Sequence, residues 1–350
     1  MLRTLTMIFL LAPLAGCSTM GYYWQTAAGH LSLMSKREPI EDLLAAGEMD
    51  DKREKQLQKA LKIRQFAVTQ LGLPDNKSYQ SFVELDKDYI VWNVVAAPTY
   101  SLTPSQWCFP IVGCVSYRGY YAESDADEFA ANIDAEKFDV MVRGSRAYST
   151  LGWFADPLTS PMVDRGEILL AEVIFHELAH QIFYIKNDTS FNEAFASAVG
   201  EYGVRQWLAA EDPDGLERYE KYLKRKLVFI KLLAETSENL KTLYASGANE
   251  SEMAQQKIAI FNQLKVNYET LKTTVWEGYT GYDGWFKKPV NNARLASISV
   301  YQDKIPDFSR WLTACEFNFP RFYQEMISIS ELPKKERHQR LADAAHCAAI

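Results

Sequence analysis

The stretch from Asp164 to Phe183 constrains the fold most, because its residues are apolar on every face of a predicted helix. Segments such as Ile168-Leu169-Leu170 and Val173-Ile174-Phe175 leave few polar positions. A helix of this kind has to be buried. Asp164 can serve as its N-cap, and Glu167, three residues later, completes a pair like the capping box.

This buried helix carries His176-Glu177-Leu178-Ala179-His180, the pattern H-E-x-x-H, in its middle. Histidines four residues apart project from one face, so both imidazoles can reach one metal ion. The alternative is that two histidines and a glutamate are simply buried in the core, in which case each of the three side chains would need its own hydrogen-bond partners. We therefore expect His176 and His180 to bind Zn²⁺, with Glu177 as the general base that activates water.

A catalytic zinc ion needs a third protein ligand, and Glu193 is the candidate. It opens a second predicted helix, Phe191 to Ala209, after a turn at Asn187 and Asp188. Small residues from Ala194 to Gly200 would let the two helices approach closely.

Two alternatives concern this third ligand. Ser190-Phe191-Asn192-Glu193 fits the capping box, so Glu193 could instead cap its own helix. Glu201, two turns further along the same face, is the reserve ligand or an acceptor for an imidazole N–H.

Two resemblances extend this interpretation. Asn192-Glu193-Ala194-Phe195-Ala196 resembles the Asn-Glu-x-x-Ala sequence of gluzincins such as the aminopeptidase N family. The whole chain also resembles a family of bacterial proteins described as predicted zinc aminopeptidases. The matching segments are Val91 to Ala97, Trp107 to Pro110 with Gly113-Cys114, Tyr148 to Phe154, the H-E-x-x-H helix, Asn192-Glu193 and Asn291 to Leu295.

These resemblances imply a fold, a reaction and further site residues. The fold is α+β, a mostly helical zincin-like metallopeptidase with a small β-sheet before the H-E-x-x-H helix and a helical C-terminal region. The reaction is hydrolysis of a peptide substrate by zinc-activated water. Gluzincins commonly place an oxyanion donor well downstream of the third ligand, and Tyr279 and Tyr282 are the candidates, although both could be packing or lid residues.

The N-terminus has the features of a lipoprotein signal peptide. Arg3 precedes an apolar run from Leu5 to Leu14, and Leu14-Ala15-Gly16-Cys17 resembles the bacterial lipobox. We expect cleavage before Cys17, acylation of Cys17, and a chain held on the membrane of the cell envelope, at the outer membrane and facing the periplasm. An ordinary secreted protein is the alternative.

The remaining four cysteines are an even number in a chain expected to reach an oxidising compartment. We favour disulfides between Cys108 and Cys114, which enclose a short, turn-rich loop, and between Cys315 and Cys347. A zinc-thiolate site is the alternative, but no C-x-x-C spacing supports it.

The other elements divide the chain into four regions. Residues 1–16 form the signal peptide, 17–160 a helical and β-sheet region, 161–210 the catalytic helix pair, and 211–350 a helical region that completes the cleft. The predicted elements are a helix from Pro39 to Leu71, strands at Tyr89 to Val95, Phe138 to Arg143 and Ala147 to Phe154, a helical hairpin of Leu216 to Thr236 and Glu252 to Thr274, an irregular aromatic segment from Trp276 to Pro289, and a C-terminal helix.

Three further expectations concern what the protein binds. The strand Ala147 to Phe154 could pair with an extended peptide or be an ordinary core strand. Glu123, Asp125 and Glu128 could hold a substrate ammonium group, or form a solvated surface. The formal net charge of −7, which becomes −8 when Arg3 is removed, argues against nucleic-acid binding.

A zinc-binding envelope lipoprotein without catalysis, which binds a protein partner, is a competing function. A zinc hydrolase of a non-peptide substrate is another.

Overall fold

The computed structural model describes residues 14–109, 113–302 and 304–347. Most of the predicted signal peptide, residues 1–16, lies outside the described residues, as does the side chain of Cys17. The described part is an α+β protein with much more helix than strand, as predicted. None of its helices combines the length and the hydropathy that a bilayer span requires.

The helices occupy most of the chain and are named here in chain order. They are α1 Leu14–Ser35, α2 Ile40–Ala46, α3 Asp51–Thr69, α4 Glu123–Ala131, α5 Ser160–Val163, α6 Glu167–Ala179, α7 Thr189–Glu211, α8 Pro213–Tyr244, α9 Glu250–Thr274, α10 Asp283–Phe286, α11 Asn292–Gln302, α12 Ile305–Ala314, α13 Phe319–Ser330 and α14 Lys334–Ala342.

The strands form small sheets before the H-E-x-x-H helix, as predicted. They are β1 Glu38–Pro39, β2 Ser81–Val83, β3 Val91–Pro98, β4 Trp107–Phe109, β5 Gly113–Val115, β6 Arg118–Tyr120, β7 Phe138–Ser145 and β8 Leu158–Thr159. The central sheet has the order β6-β3-β7 and is antiparallel, with Val94 opposite Val142. A second sheet has the order β1-β2-β8, and β4 pairs with β5 in a hairpin.

Two predictions in the N-terminal half are wrong. The single helix from Pro39 to Leu71 is two helices, because Gly47 adopts a left-handed conformation (φ 64°) that ends α2. Asp50 then starts α3 by accepting hydrogen bonds from two backbone N–H groups. The strand from Ala147 to Phe154 is a loop, because Leu151 and Gly152 have φ of 57° and 79°, which no extended strand accommodates.

The buried helix α6 has different ends from those predicted. Asp164 does not cap it. The helix begins after Gly166, and the Asp164 carboxylate instead binds Arg53 at 2.9 Å. Glu167 accepts a hydrogen bond from the Trp207 indole rather than forming a capping box. The H-E-x-x-H pattern lies at the C-terminal end of α6, not in its middle, since His180 is the C-cap residue.

Helices α6 and α7 pack against each other in the main core. The predicted small residues allow this approach: a β-carbon on Gly200 would lie 3.2 Å from the Glu172 carbonyl oxygen and 3.6 Å from the His176 β-carbon. Most apolar residues of α6, including Val173, Ile174 and Leu178, are buried, whereas Ile168 and Leu169 are partly buried. Because Gly200 lies beside Glu172 and His176 while Glu193 lies beside His176 and His180, the helices are antiparallel.

The C-terminal half is helical, as predicted. Helices α8 and α9 form the helical hairpin, with the left-handed Gly247 in the turn. The single predicted C-terminal helix is four helices, α11 to α14. Both predicted disulfides, Cys108–Cys114 and Cys315–Cys347, are present.

Candidate active site

Helix α6 brings two imidazoles together at its C-terminal end. His176 lies in the last turn, and His180 keeps a helical backbone with φ −58° and ψ −19°. Their Nε2 atoms are 3.1 Å apart, and the two rings are nearly perpendicular. The side chains are 19% and 6% exposed, so two polar rings meet in an environment with little access to water.

Glu193 reaches the same point from α7. Its Oε2 lies 3.4 Å from His176 Nε2 and 3.7 Å from His180 Nε2. The three potential ligand atoms all lie within 4.8 Å of one another. Around tetrahedral zinc, with bonds of about 2.0–2.2 Å, neighbouring ligand atoms are roughly 3.3–3.6 Å apart. The donor types and their separations therefore fit a zinc ion.

The turn between the two helices fixes the position of Glu193. Asn192 donates from Nδ2 to the Ile185 carbonyl (2.8 Å) and accepts from the Ile185 N–H (3.0 Å). The alternative capping box is not formed, because α7 already begins at Thr189 and Glu193 lies in its second turn. The carboxylate of Glu193 is thus turned toward α6 rather than toward the start of its own helix.

The three groups change one another's protonation. Burial alone would raise the pKa of Glu193, but His180 and His176 outweigh it and hold that pKa well below its ordinary value. Burial alone would lower the pKa of His176, but the bond to Glu193 and the charge of Glu177 raise it. An ionised carboxylate beside two imidazoles is a donor set that favours a divalent cation.

Glu177 is buried, with 8% exposure, next to His176. Its charge contributes to raising the pKa values of Tyr79, Tyr117 and Asp156, in each case after burial, which is the main cause. The charge of Glu177 therefore acts on all three groups. After burial, Glu193 raises the pKa of Tyr117 more than Glu177 does.

The loop that was predicted to be a strand packs beside this site. Its conformation is fixed by Asp156, which accepts hydrogen bonds from the Thr150 N–H (2.8 Å) and the Thr150 hydroxyl (2.7 Å). A β-carbon on Gly152 would lie 3.1 Å from the Gln181 side chain, directly after His180. The loop therefore contacts the end of the H-E-x-x-H helix without offering strand edges to a peptide.

Tyr279 and Tyr282 lie in a separate aromatic cluster. Tyr282 stacks on Phe229 with 4.1 Å between ring centroids, and Arg225 lies 4.2 Å from the centre of the Tyr279 ring. Burial raises the pKa of Tyr282, and so does Tyr222. None of the contacts described for the two tyrosines involves the two histidines or Glu193, so their assignment as oxyanion donors stays a prediction.

Glu201 does not join His176, His180 and Glu193. Its Oε1 accepts a 2.7 Å hydrogen bond from Lys226, and both side chains are largely buried. The acidic residues considered either for a substrate ammonium group or as a solvated surface lie exposed on α4; they are Glu123, Asp125 and Glu128. No contact between these residues and the site is described.

Sequence reasoning missed several residues near the site. Tyr184 lies in the segment between α6 and α7, and burial and then Glu193 raise its pKa. Helical spacing from His180 does not mark it, because α6 ends at Ala179. Tyr117 and Asp156 are distant from the motif in sequence. They approach it only through the folding of β6 and the loop before β8, and no local pattern marks them.

Comparison with known families gives one match. A family described as "Putative aminopeptidase" matches residues 21–341. Comparison with curated proteins and with solved structures finds no significant match. The matched region contains the helices from α2 to α13, all of α14 except Ala342, and every residue of the candidate site. The chain belongs to this "Putative aminopeptidase" family.

Proposed function

We propose that the protein is a zinc-dependent peptidase of the gluzincin type with a zincin-like fold. The observation that supports this most is the convergence of His176, His180 and Glu193 within 4.8 Å, with Glu177 adjacent. Family membership supports aminopeptidase activity on a peptide substrate. The three converging residues would hold the ion, which, when bound, acts as a Lewis acid that makes water more acidic and polarises a carbonyl.

Glu177 is the general base in this proposal. Its carboxylate takes a proton from the attacking water and returns it to the departing amine, a role worth typically 10²–10⁴ in rate. Burial next to His176 keeps bulk water away, so the carboxylate has few competing hydrogen-bond partners. Tyr117, whose pKa is raised by burial and then by Glu193, stays protonated and can donate a hydrogen bond to a developing oxyanion.

We also propose that acylation of Cys17 holds the protein on the envelope membrane. The supporting observation is the lipobox sequence Leu14-Ala15-Gly16-Cys17. The two disulfides are consistent with export to an oxidising compartment.

Replacing Glu177 by glutamine tests the proposed chemistry. Glu177→Gln keeps the shape of the side chain and removes the base, so we expect zinc to remain bound and peptide cleavage to fall by at least about 100-fold. The measurement is kcat/KM on a peptide mixture, with and without a chelator, together with zinc content. Glu167→Gln is the matched control, because it makes the same change on α6 and an amide oxygen can still accept from Trp207.

The same digestion identifies the cleavage mode. An aminopeptidase releases N-terminal residues one at a time and spares peptides with blocked N-termini. Internal cuts would make the protein an endopeptidase. Wild-type turnover by Glu177→Gln would exclude Glu177 as the base, and bound zinc without any cleavage would favour the non-catalytic lipoprotein.

A further inference from the structure

Helix α1 has one face packed against the protein. The guanidinium of Arg118 lies 4.0 Å from the centre of the Tyr22 ring, and Gln25 donates to the Gly119 carbonyl. Gly29 lies so close to Tyr121 that a β-carbon there would be 2.3 Å from the ring. These contacts fix the orientation of α1 and determine which of its residues face outward.

The opposite face of α1 is exposed and apolar. Met20, Trp24 and Leu31 are 76%, 77% and 65% exposed, and Tyr23 beside them is 43% exposed. Met20, Trp24 and Leu31 are four and seven residues apart, so they line one side of the helix. No residue from Leu14 to Ser35 is charged. A stripe of this size without charges is typical of an interaction surface rather than of a surface that faces water.

The apolar surface continues onto the loop before β8. The rings of His30 and Phe154 are 4.6 Å apart, and Arg37 donates to the Ala155 carbonyl at 3.1 Å. Trp153 and Phe154 in this loop are 71% and 53% exposed. We call Met20, Tyr23, Trp24, Leu31, Trp153 and Phe154 the apolar face.

We infer that the apolar face lies on a lipid bilayer, with its aromatic rings at the level of the headgroups. The inference rests on the proposed lipid anchor at Cys17, which is part of the same helix. Trp24 follows Cys17 by seven residues, a rise of roughly 10 Å along a helix, so no linker separates an anchored Cys17 from the face. Tryptophan and tyrosine are favoured at membrane interfaces because their rings are apolar and their N–H or O–H group stays hydrated.

This arrangement places the candidate site near the bilayer. The loop that carries Trp153 also contains Gly152, which contacts Gln181 next to His180. The protein is acidic overall, so contact through the apolar face, rather than attraction to anionic lipids, holds it there. Binding in this mode is insensitive to salt.

Quenching of tryptophan fluorescence by brominated lipids tests the inference. The complete chain is expressed, purified from membranes and reconstituted into vesicles of phosphatidylethanolamine and phosphatidylglycerol with brominated acyl chains. We expect part of the fluorescence to be lost, equally at low and high salt. Trp24→Phe and Trp153→Phe should each reduce the quenched part, and Trp285→Phe, in the aromatic cluster around Phe229, should not.

Trp153 is the decisive probe, because it is remote in sequence from Cys17. Quenching of Trp153 therefore shows that the apolar face contacts lipid, and not merely that the acylated N-terminus does. Leu31→Glu should abolish quenching of Trp153. The matched control Ile258→Glu, at a 62% exposed position on α9, should leave it unchanged. Acylated protein without quenching of Trp153 would overturn the inference. A particle of twice the mass, again without quenching, would assign the face to a second copy and overturn it too.

Mass spectrometry of the same preparation tests the acylation of Cys17 separately from the contact between the apolar face and the bilayer. A missing acyl group on Cys17 would contradict the lipid anchor, whatever the quenching result. Peptide cleavage by the same sample reports the proposed enzyme function independently of both.

Discussion

At the scale of single residues, the site depends on groups that are polar, buried and close together. His176, His180 and Glu193 form the candidate metal site, and Glu177 lies beside it. Burial and then nearby charges, including that of Glu177, raise the pKa values of Tyr117 and Asp156. Burial and neighbouring charges determine the protonation of these groups, so substitutions of single side chains have predictable effects.

Tyr117 should contribute to turnover more than the tyrosines suggested by the sequence. Tyr117→Phe removes the hydroxyl and keeps the ring, so we expect kcat to fall on the order of 100-fold with little change in zinc affinity. Tyr279→Phe and Tyr282→Phe are the comparison variants, measured with the same substrate. Wild-type kcat for Tyr117→Phe together with a large loss for Tyr282→Phe would reverse the assignment.

Asp156 should make stability depend on pH. Burial raises its pKa from 3.8 to about 6, opposed by hydrogen bonds from Thr150 and assisted by Glu177. Between these two values the folded state holds a proton that the unfolded state has lost. This contribution to stability is therefore full below about pH 4 and is lost as pH rises through about 6, and it amounts to about 3 kcal/mol.

Asp156→Asn should remove that dependence, because the amide does not titrate and can still bind Thr150. Unfolding free energies from urea titrations at pH 4 and pH 7 provide the measurement. Asp127→Asn, a substitution at an exposed position on α4, should show the same difference in unfolding free energy between pH 4 and pH 7 as the parent. If Asp156→Asn had the same pH dependence of the unfolding free energy as the parent, the Asp156 carboxyl of the parent would already be ionised at pH 4.

At the scale of elements, close packing of α6 and α7 brings the ligands together. Gly200 and Gly203 provide the space, and the turn containing Asn192 sets the relative position of the helices. A β-carbon on Gly203 would lie 2.7 Å from atoms of both Leu71 and Phe175, which are completely buried. Packing at this position is tighter than at Gly200.

Gly203→Ala should therefore destabilise the protein although alanine favours helix. The helical preference is worth about 1 kcal/mol, and overpacking of a filled core costs typically 1–3 kcal/mol, so we expect a net loss of about 1 kcal/mol. Chemical denaturation measures it. Gly21→Ala, in α1 with open space around it, should be neutral or stabilising. Equal stabilisation by both changes would contradict the packing argument.

The sequence predicted those elements whose determinants are local. The spacing of His176 and His180, the apolar run of α6 and the close Cys108–Cys114 pair are local, and these predictions agree with the structure. The strand from Ala147 to Phe154 failed because its shape depends on Asp156 and on left-handed Leu151 and Gly152. The location of Tyr117 could not be predicted, because it depends on contacts between distant segments.

At the scale of the whole molecule, segments far from the site on both sides in sequence hold the turn between the ligand helices. The Cys114 N–H donates to the Asn187 side chain at 2.8 Å. From α14, Arg337 and His338 bind the buried Asp188 at 2.7 and 2.8 Å. Burial would raise the pKa of Asp188, but these bonds lower it. The site is therefore a property of the complete fold.

Zinc binding by variants of the proposed ligands shows whether His176, His180 and Glu193 form a metal site. The measurement is the zinc content of the dialysed protein and its affinity in competition with a chromophoric chelator. We expect one zinc per chain for the parent and for Glu201→Gln. We expect a loss of affinity above about 100-fold for Glu193→Gln and His180→Ala, since even indirect changes around a metal cost 10–100-fold. A parent without zinc, or a Glu193→Gln variant that binds zinc as tightly as the parent, would show that these three residues do not form a zinc site.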